Sequence, residues 1–488
     1  MIDDAKAPVL SSAPSCFSRR RLLQAGMTGL AFGALSPLSS WASSSGVLVN
    51  DVTLLNPIWV SRLLAPRTTA EIRQALATWP GPVSIGGARY SMGGQIATED
   101  SLHVDMRQFN QVVHYSPEHH VIRVQSGMRW RDLQTVIDPD DLSVKIMQSF
   151  ANFTVGGALS VNAHGRYVGA GPMSNSVRAL QLVLADGSVM EASRALNTEL
   201  FHAAIGGYGA MGIITEIELD LVPNVTIERQ VQHMPIADYP AFFNDQVRGN
   251  ERAILHNADL APPHFDQATA VTWSSTEKEL TVQDRLVAPG QSYALDQTII
   301  WGVAKLPGGP LIRNDVIDPL RYLSHPVVHR NYEASRDVAS LGPIATGTTT
   351  YALQEYFVPV AQLNAFIIRM ANLLKAHDVN AINVSIRHAP PAPDSYLSWA
   401  REEVFSLVLY YWQDVGVADR EKVGEWTREL IEVALAFGGT YYLPYQLHAT
   451  REQFSRAYPG AQRLFALKAR FDPQRRFGNK LWDKYYVG

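Results

Sequence analysis

Gly-Gly-Ala-Arg-Tyr-Ser-Met-Gly-Gly-Gln at residues 86–95 decides the fold, together with Thr-Val-Gly-Gly-Ala-Leu-Ser-Val-Asn-Ala-His-Gly at residues 154–165. Each glycine-dense stretch is a predicted loop that interrupts an apolar, strand-like run. Glycine allows left-handed turns and close approach of the backbone to a ligand. Successive N–H groups in such a turn form a concave anion site. Either stretch alone is most simply a tight turn, but the pair predicts a site for a long, flat ligand with two phosphates, such as a flavin dinucleotide.

The composition is that of a globular protein, with 46% apolar and 18% charged residues in a chain of 488. This length predicts two or three domains. The formal net charge of −4 gives no reason to expect nucleic-acid binding, which requires clustered Lys and Arg. Ten Trp and 19 Tyr predict large cores and a pocket lined by aromatic rings.

Ser-Arg-Arg-Arg-Leu-Leu-Gln at residues 18–24 resembles a twin-arginine export signal, and residues 40–42 offer a small-x-Ala cleavage site. An amphipathic helix or a membrane anchor is the alternative, although the apolar run is too short and glycine-rich to span a bilayer. We therefore expect residues 1–42 to be a twin-arginine signal peptide. The mature protein would be periplasmic or secreted, without stable membrane insertion. The only cysteine, Cys16, lies in this segment, so the mature chain would have no disulfide and no cysteine metal site.

A third glycine-rich segment contains a formal G-x-G-x-x-G at Gly207, Gly209 and Gly212. The nicotinamide-dinucleotide fingerprint requires a strand before the motif and a helix after it. Here a predicted helix over 197–204 precedes the motif and a predicted strand over 213–222 follows it. The sequence therefore does not favour a Rossmann site.

The hydrophobic periodicity predicts further elements in both halves of the chain, and from about Pro223 the pattern predicts an antiparallel sheet covered by helices. Residues 290–345 carry no confident assignment. The predicted strands are 83–85, 102–105, 121–125, 227–232, 270–273, 349–358, 381–387 and 404–412, with a hairpin over 180–191 that turns at Asp186-Gly187. The predicted helices are 69–79, 130–137, 239–247, 360–377, 419–437 and 458–471.

The three glycine segments, Glu-Tyr-Phe-Val-Pro at 355–359 and Phe-Asp-Pro at 471–473 together resemble the vanillyl-alcohol-oxidase superfamily of FAD enzymes. The nearest branches are the aldonolactone and alditol oxidases and the decaprenylphosphoryl-ribose oxidases. The resemblance implies an α+β fold, with a two-lobed PCMH-type FAD-binding domain plus an antiparallel-sheet substrate (cap) domain. The implied domains are 47–224 for FAD, 225–440 for substrate, and a C-terminal segment over 441–488 that returns to the FAD domain.

The same resemblance implies FAD as the cofactor. Residues 86–95 would wrap the pyrophosphate, 154–165 would follow the isoalloxazine, and 207–214 would reach the adenosine side. The implied cofactor-binding residues are Gly86, Gly87, Ala88, Arg89, Tyr90, Ser91, Gln95, Thr154, Gly156, Gly157, Ser160, Asn162, His164, Gly207, Gly212 and Ile214.

The chain departs from the family pattern at several positions. Many members carry a His that bonds covalently to the flavin where this chain has Tyr90, so we expect non-covalent FAD. A family Glu-x-Arg pair is here Ser385-Ile386-Arg387, and a family His is here Tyr410. A late family Lys has no counterpart in residues 444–448. These departures leave the substrate open.

Oxidation of a CH–OH group on a flavin requires hydride transfer to N5 and a base within hydrogen-bond reach of the hydroxyl. Arg387 closes an apolar strand and is the candidate cation near the flavin or the substrate. His164 lies in the flavin-facing loop and is a candidate for proton transfer, although a single His is more often structural. Glu355 is favoured as a buried carboxylate that supports the sheet rather than as a catalytic group. The further pocket candidates are His388, Tyr410, Tyr445 and His448, and no cluster has the spacing of a metal site.

We therefore expect an exported FAD-dependent oxidoreductase that oxidises a CH–OH group of a sugar, sugar lactone or polyol-like substrate. Its electron acceptor would be O₂ or another acceptor. One alternative is the oxidising half of a lipid-linked sugar epimerisation, which would need exposed Trp, Leu or Phe residues in the region 290–345. Another is a flavin- or sugar-binding protein without turnover, because the family Glu and Lys are absent.

Overall fold

The glycine-rich half of the chain contains a small parallel sheet and a larger antiparallel one. A computed structural model describes residues 46–306, 308–312, 317–341 and 347–486, so the predicted signal peptide over 1–42 lies outside the described residues. The strands of this half are β1 Val47–Val49, β2 Ile58–Val60, β3 Arg62–Leu64, β4 Val83–Gly86, β5 Leu102–Asp105, β6 Val112–Ser116, β7 Val121–Gln125, β8 Leu142–Val144, β9 Val177–Val183, β10 Val189–Ser193 and β11 Ile213–Pro223. Its helices are α1 Thr69–Thr78, α2 Trp130–Ile137, α3 Val155–Ser160 and α4 Thr198–Ala204.

These two sheets are the two lobes that the resemblance implies. The parallel sheet has the order β3-β5-β4, and the antiparallel sheet has the order β10-β9-β11-β7-β6 with β8 also paired to β11. β9 and β10 form the predicted hairpin, with Gly187 at a φ of +83° in its turn. Helix α2 buries Trp130, Leu133, Gln134 and Ile137, which share one helical face.

The second half is organised around one large antiparallel sheet. Its strands are β12 Thr226–Pro235, β13 Ala253–Leu260, β14 Gln267–Ser275, β15 Val327–His329, β16 Thr349–Pro359, β17 Ala381–Ala389, β18 Val404–Asp414 and β19 Thr440–Tyr441, in the order β15-β12-β14-β13-β17-β18-β16-β19. The helices are α5 Tyr239–Phe242, α6 Ala294–Lys305, α7 Gly309–Ile312, α8 Asp318–Tyr322, α9 Arg330–Ala334, α10 Leu363–Ala376, α11 Val417–Ala436, α12 Arg451–Ala457, α13 Ala461–Phe471 and α14 Lys480–Tyr485. The predicted α+β class is thereby confirmed, while the domain boundaries stay predictions. None of the helices that the structure describes is both long and apolar enough to cross a membrane.

The structure corrects one expectation about secondary structure and contains a strand that was not predicted. The stretch 154–165 is not wholly a loop, because it contains α3, whose first turn is capped by the Thr154 hydroxyl accepting from the Gly157 N–H. Strand β13 has no predicted counterpart, because His256, Asn257 and Asp259 make it polar. The unassigned region 290–345 contains α6 to α9 and β15 among its described residues.

The C-terminal residues pack on the lobe that contains the parallel sheet. The Val83 N–H donates to the Arg476 carbonyl at 2.6 Å, and Phe477 forms a parallel bridge to Val83. The Arg476 guanidinium donates to the carbonyl oxygens of Leu76, Trp79 and Ala185. The last residues of the chain therefore help to hold β4, the strand that leads into the first glycine stretch.

Candidate active site

A long cleft, open to solvent, brings the glycine-rich segments together with the large sheet. Its cavity volume is about 230 Å³. The loop wall consists of its lining residues within 85–96, 148–164 and 208–214, and the sheet wall of those on β16, β17, β18 and segment 442–445. Predicted cofactor residues that line the cleft are Gly87, Ala88, Arg89, Tyr90, Ser91, Gln95, Thr154, Gly156, Gly157, Ser160, His164, Gly212 and Ile214.

Three predicted cofactor residues do not line the cleft and support its walls instead. Gly86 leaves room for the ring of His103, which a Cβ would approach to 2.8 Å. Asn162 accepts from the Ser174 N–H at 3.4 Å and from the Trp399 indole through its carbonyl at 3.0 Å. The Gly207 carbonyl accepts from the Trp482 indole at 3.3 Å.

The first glycine stretch presents free backbone donors to the cleft. Among the residues that the structure describes, the N–H groups of Ala88, Arg89, Tyr90 and Ser91 have no hydrogen-bond acceptor. A Cβ on Gly87 would lie 2.2 Å from the Thr154 hydroxyl, so glycine is needed for the two glycine stretches to pack together. Successive free amides of this kind bind anionic oxygens.

Arg89 adds a positive charge beside these amides. It has a left-handed backbone with a φ of +64°, and its guanidinium donates to Asp105 at 3.1 Å. Asp105 also pairs with Arg107, at 2.5 Å, so one carboxylate serves two guanidinium groups. Burial raises the pKa of Asp105, but its hydrogen bonds to Arg107 and the charges of both arginines outweigh this and lower that pKa. The cluster therefore keeps a net positive charge at the loop wall.

The sheet wall is built from side chains on one face of three adjacent strands. Tyr351, Leu353 and Glu355 alternate along β16, while Val408 and Tyr410 do so on β18. The register places Leu353 opposite Tyr410 and Glu355 opposite Val408. The rings of Tyr351 and Tyr410 stack with centroids 5.6 Å apart. This wall is aromatic at one end and polar at the other.

Glu355 is the centre of the polar end. Its Oε1 atom lies 2.6 Å from His164 Nε2 and accepts from the Ser406 hydroxyl at 2.5 Å. Its Oε2 atom accepts from the Tyr445 hydroxyl at 3.1 Å. Burial raises the pKa of Glu355, but the charge and hydrogen bond of His164, with Arg387 and Ser406, lower it further than burial raises it. Glu355 is thus a buried carboxylate, as the sequence favoured, and it also faces the cleft.

Arg387 is the cation of the sheet wall. Within the described part of the chain its guanidinium makes no hydrogen bond or ion pair, and its buried Nε atom has no partner. Burial lowers the pKa of Arg387, and the nearby Glu355 charge partly offsets that effect. The free guanidinium can therefore bind an oxygen-rich or anionic group in the cleft.

Of the six predicted catalytic candidates, the structure brings four together at the cleft and leaves two elsewhere. His164, Arg387, Tyr410 and Tyr445 line the cleft, whereas His388 and His448 do not. His388 pairs with Glu403 at 2.6 Å and packs on Phe243. His448 lies beside Gly424 of α11, and burial with the charges of nearby cations lowers its pKa to about 3.

Sequence reasoning missed two residues that line the cleft, Tyr351 and Leu353, and one that hydrogen-bonds to Glu355, Ser406. Tyr351 and Leu353 share the alternation of Glu355 along β16, and this signal could have found them. Ser406 carries no local signal, because only the pairing of β16 with β18 brings its hydroxyl to Glu355.

The chemistry of both walls suits a long ligand with anionic and flat parts. Beside the free amides, buried polar atoms of the lining residues have no partner among the described groups, namely Arg89 Nε, Ser126 Oγ, Ser149 Oγ and Arg387 Nε. Aromatic rings line both walls of the cleft, including that of Tyr90, whose centroid lies 4.8 Å from that of Phe153. The residues present therefore fit a flavin dinucleotide.

Comparisons with known proteins agree with this chemistry. Residues 60–193 match a family model described as an FAD binding domain. The chain is 22% identical over 444 residues to L-gulonolactone oxidase of Mus musculus, covering 86% of this chain and 94% of that protein. It is 30% identical over 128 residues to a putative D-arabinono-1,4-lactone oxidase of Neurospora crassa, which covers 26% of this chain and 23% of that protein. It is 32% identical over 181 residues to D-lactate dehydrogenase of Anaerostipes hadrus, covering 33% of this chain and 37% of that protein.

Proposed function

Because this chain is an FAD-linked oxidoreductase with an FAD binding domain of the PCMH type, we propose that it oxidises a CH–OH group of a sugar, sugar lactone or polyol-like substrate. The observation that carries this proposal is the polar end of the sheet wall, where Glu355 and Arg387 flank one cleft beside the glycine-rich loops. Alcohol oxidation needs an acceptor for a proton and a group that orients the substrate oxygens. The lactone oxidases among the relatives support the donor class.

The loop wall would hold the cofactor. FAD, when bound, supplies the hydride acceptor for the oxidation. The free amides from Ala88 to Ser91 and the Arg89 guanidinium would bind the pyrophosphate of FAD. Helix α3 and residues 208–214 would hold the remaining parts of the cofactor. Arg387 would orient the donor or balance negative charge on the reduced ring. The Glu355 carboxylate and the His164 imidazole lie in the part of the cleft where the donor would bind.

We propose that FAD is held without a covalent bond. Tyr90 stands where a histidine would attach the flavin, and among the described residues there is no cysteine to provide a second attachment. Burial and the charge of Asp337 raise the pKa of the Tyr90 phenol, which keeps it protonated and un-nucleophilic.

The test is a visible absorption spectrum of the purified protein before and after acid precipitation. We expect a flavin spectrum that passes to the supernatant. Flavin that stays in the pellet would contradict non-covalent binding, and a colourless protein that binds no added FAD would contradict the whole proposal.

Anaerobic bleaching of the flavin would then test the donor class. The probes are L-gulonolactone, D-arabinono-1,4-lactone, a linear polyol and D-lactate. Reduction by one of the first three supports the proposal, whereas reduction by D-lactate alone would move the donor to hydroxy acids. A flavin that none of the probes and no other alcohol reduces would favour the binding protein without turnover.

A lipid-linked donor is the second candidate, and one observation favours it. Six large apolar side chains on or beside α6, α7 and α8 are exposed, among them Leu295 at 74%, Leu320 at 64% and Leu323 at 72%. The others are Trp301, Leu306 and Ile312. The buried side of α6 packs through Val303 and Ala304 on the aromatic end of the sheet wall. Such a surface could receive an apolar tail, as the oxidising half of a lipid-linked sugar epimerisation requires.

A pair of donors that share one sugar separates the two candidates. One donor is the free sugar and the other carries a long alkyl or polyprenyl-phosphate tail. If the second candidate holds, the tailed donor reduces the flavin faster, and the double variant Trp301→Ser with Leu320→Ser removes that advantage without slowing the free sugar. Equal rates for both donors would refute it.

We also propose export through the twin-arginine route, on the basis of residues 18–24. A change of Arg19, Arg20 and Arg21 to Lys should retain the protein in the cytoplasm, as measured by fractionation of expressing cells. Periplasmic recovery of that variant would contradict the proposal.

A further inference from the structure

Behind the partly exposed Tyr445 lies a buried pair, Glu355 and His164. Glu355 is 2% exposed and His164 is 5% exposed, whereas Tyr445 keeps an intermediate exposure. The pair joins the two walls of the cleft, because His164 follows α3 and Glu355 lies on β16. Tyr445 is therefore the member of this group that is most open to a bound substrate.

The hydrogen bonds run in one continuous chain. The Tyr445 hydroxyl donates to Glu355 Oε2 at 3.1 Å, and the other carboxylate oxygen lies 2.6 Å from His164 Nε2. The Ser406 hydroxyl donates to that same oxygen at 2.5 Å and fixes its position. Charge-assisted bonds of this length are among the strong ones in proteins. A proton can move along this chain without any change in backbone structure.

The other groups at the cleft do not offer this chemistry. Glu355 is the only carboxyl and His164 the only imidazole among the described residues that line it. Arg387 faces the same region but has donors only and cannot accept a proton. His388 and His448 lie outside the cleft. Tyr445, Ser406 and Arg387 lie beside the carboxylate, and the Tyr442 ring lies 5.9 Å from the His164 ring. The charge of Glu355 also acts on Tyr442, Tyr208 and Tyr458, and the charges of Arg166 and Asp259 act on Arg387.

We propose that Tyr445, Glu355 and His164 form the proton relay of the oxidation, with Tyr445 as the group that contacts the substrate hydroxyl. This inference rests on the proposed function. The substrate O–H bond breaks as a new O–H bond forms on Tyr445, whose own proton passes to Glu355 Oε2. The electron pair and hydrogen of the C–H bond leave together as hydride to the flavin. The product is a carbonyl compound, and the Glu355–His164 pair holds one extra proton until solvent removes it.

The first test is the variant Tyr445→Phe, which keeps the ring and removes the hydroxyl. With the probe that bleaches the wild-type flavin fastest, we expect the anaerobic reduction rate to fall about 100-fold, the lower end of general acid–base effects. The matched control is Tyr485→Phe, which removes a buried tyrosine hydroxyl that donates to the Ala449 carbonyl at 2.9 Å outside the cleft. Wild-type and control rates should respond to pH and to D₂O, while the residual Tyr445→Phe rate should lose both responses.

FAD affinity distinguishes a relay from a structural role, because a variant that disturbs the structure of the site would also bind FAD more weakly. The dissociation constant of FAD, measured by fluorescence quenching, should change less than about twofold in Tyr445→Phe and Glu355→Gln. If either variant loses FAD or is bleached as fast as wild type, the relay is overturned. A wild-type protein that binds no FAD, or whose flavin no alcohol reduces, contradicts the proposed function instead.

A second measurement needs no donor. In protein with ¹⁵N-labelled histidine, the Nε2 resonance of His164, assigned with His164→Gln, should show a hydrogen bond that Glu355→Gln shifts and Tyr485→Phe does not. A His164 spectrum that is indifferent to Glu355→Gln would overturn the relay even if no donor is known.

Discussion

The loop wall of the cleft presents backbone N–H groups, whereas the sheet wall presents side chains. The amides of Ala88 to Ser91 exist whatever side chains those residues carry, and only the turn that aims them depends on sequence. On the sheet wall, Glu355, Arg387 and Tyr445 each contribute one functional group on an otherwise rigid strand or segment. Binding and chemistry are thus assigned to different kinds of atoms.

This difference determines how each wall fails. An added Cβ can close the loop wall by steric overlap, while removal of a polar side chain leaves its amides in place. The sheet wall responds in the opposite way, because loss of one charged group leaves the packing intact and changes the chemistry. His164 and Glu355 are the point where the two walls meet.

The largest expected effect concerns the sheet wall. Arg387→Met should slow anaerobic flavin reduction about 100-fold, as loss of one electrostatic contact in an active site typically does. If the guanidinium balances charge on the reduced ring by the same factor, the two-electron midpoint potential should fall by about 60 mV. Arg252→Met, an exposed arginine that donates to the Ser275 carbonyl, is the control and should change neither value. An unchanged rate and potential in Arg387→Met would remove Arg387 from the site.

The next effect concerns the loop wall. Gly87→Ala places a Cβ 2.2 Å from the Thr154 hydroxyl, so the first glycine stretch must move away from α3. Overpacking of this kind costs about 2 kcal/mol, equivalent to about 30-fold weaker FAD binding by fluorescence titration. Gly249→Ala meets nothing within 4 Å and is the control. Wild-type FAD affinity in Gly87→Ala would show that this contact does not shape the cofactor site.

A third prediction concerns His448, a histidine that lies outside the cleft. Burial and nearby cations hold the pKa of His448 at about 3, so the folded protein keeps this ring neutral while the unfolded chain protonates it below about pH 6.5. The unfolded state then binds more protons, and the free energy of unfolding falls as the pH decreases from about 6.5 towards 3. His448→Gln should remove about 2 kcal/mol of the stability loss between pH 7 and pH 5, measured by urea unfolding. Identical pH slopes for the two proteins would contradict this assignment.

The smallest expected effect separates two arginines that share one carboxylate. Arg89→Ala should weaken FAD binding about five- to tenfold, because its side chain lines the cleft, 19% exposed. Arg107 pairs with the same Asp105, but its side chain is 52% exposed. In Arg107→Ala, the FAD affinity should therefore stay within about twofold of wild type. Equal losses in both variants would mean that Asp105, rather than Arg89, matters for the cofactor.

Local sequence predicted the elements whose signal is local. β5, β7 and α2 have the predicted bounds, because apolar alternation and helical spacing are read within one element. The free amides of Ala88 to Ser91 follow from the glycine pattern in the same way. The hydrogen bond of His164 to Glu355 joins residues 191 positions apart and follows only from the tertiary fold, which brings the segment after α3 to β16. Without that long-range contact, local sequence favoured Glu355 as a supporting carboxylate over a catalytic one, and it left His388 and His448 as pocket candidates although they lie outside the cleft.

The fastening of β4 by the end of the chain has a consequence for synthesis. Met92 donates to the Pro444 carbonyl, Val83 to Arg476, and Lys480 to the Gly94 carbonyl, so the first glycine stretch is held by residues made roughly 350 to 400 positions later. A ribosome-bound chain therefore lacks a finished cofactor pocket until residue 480 has been translated. We expect a premature stop before residue 476 to yield a protein without flavin even though every residue of the family match over 60–193 is present.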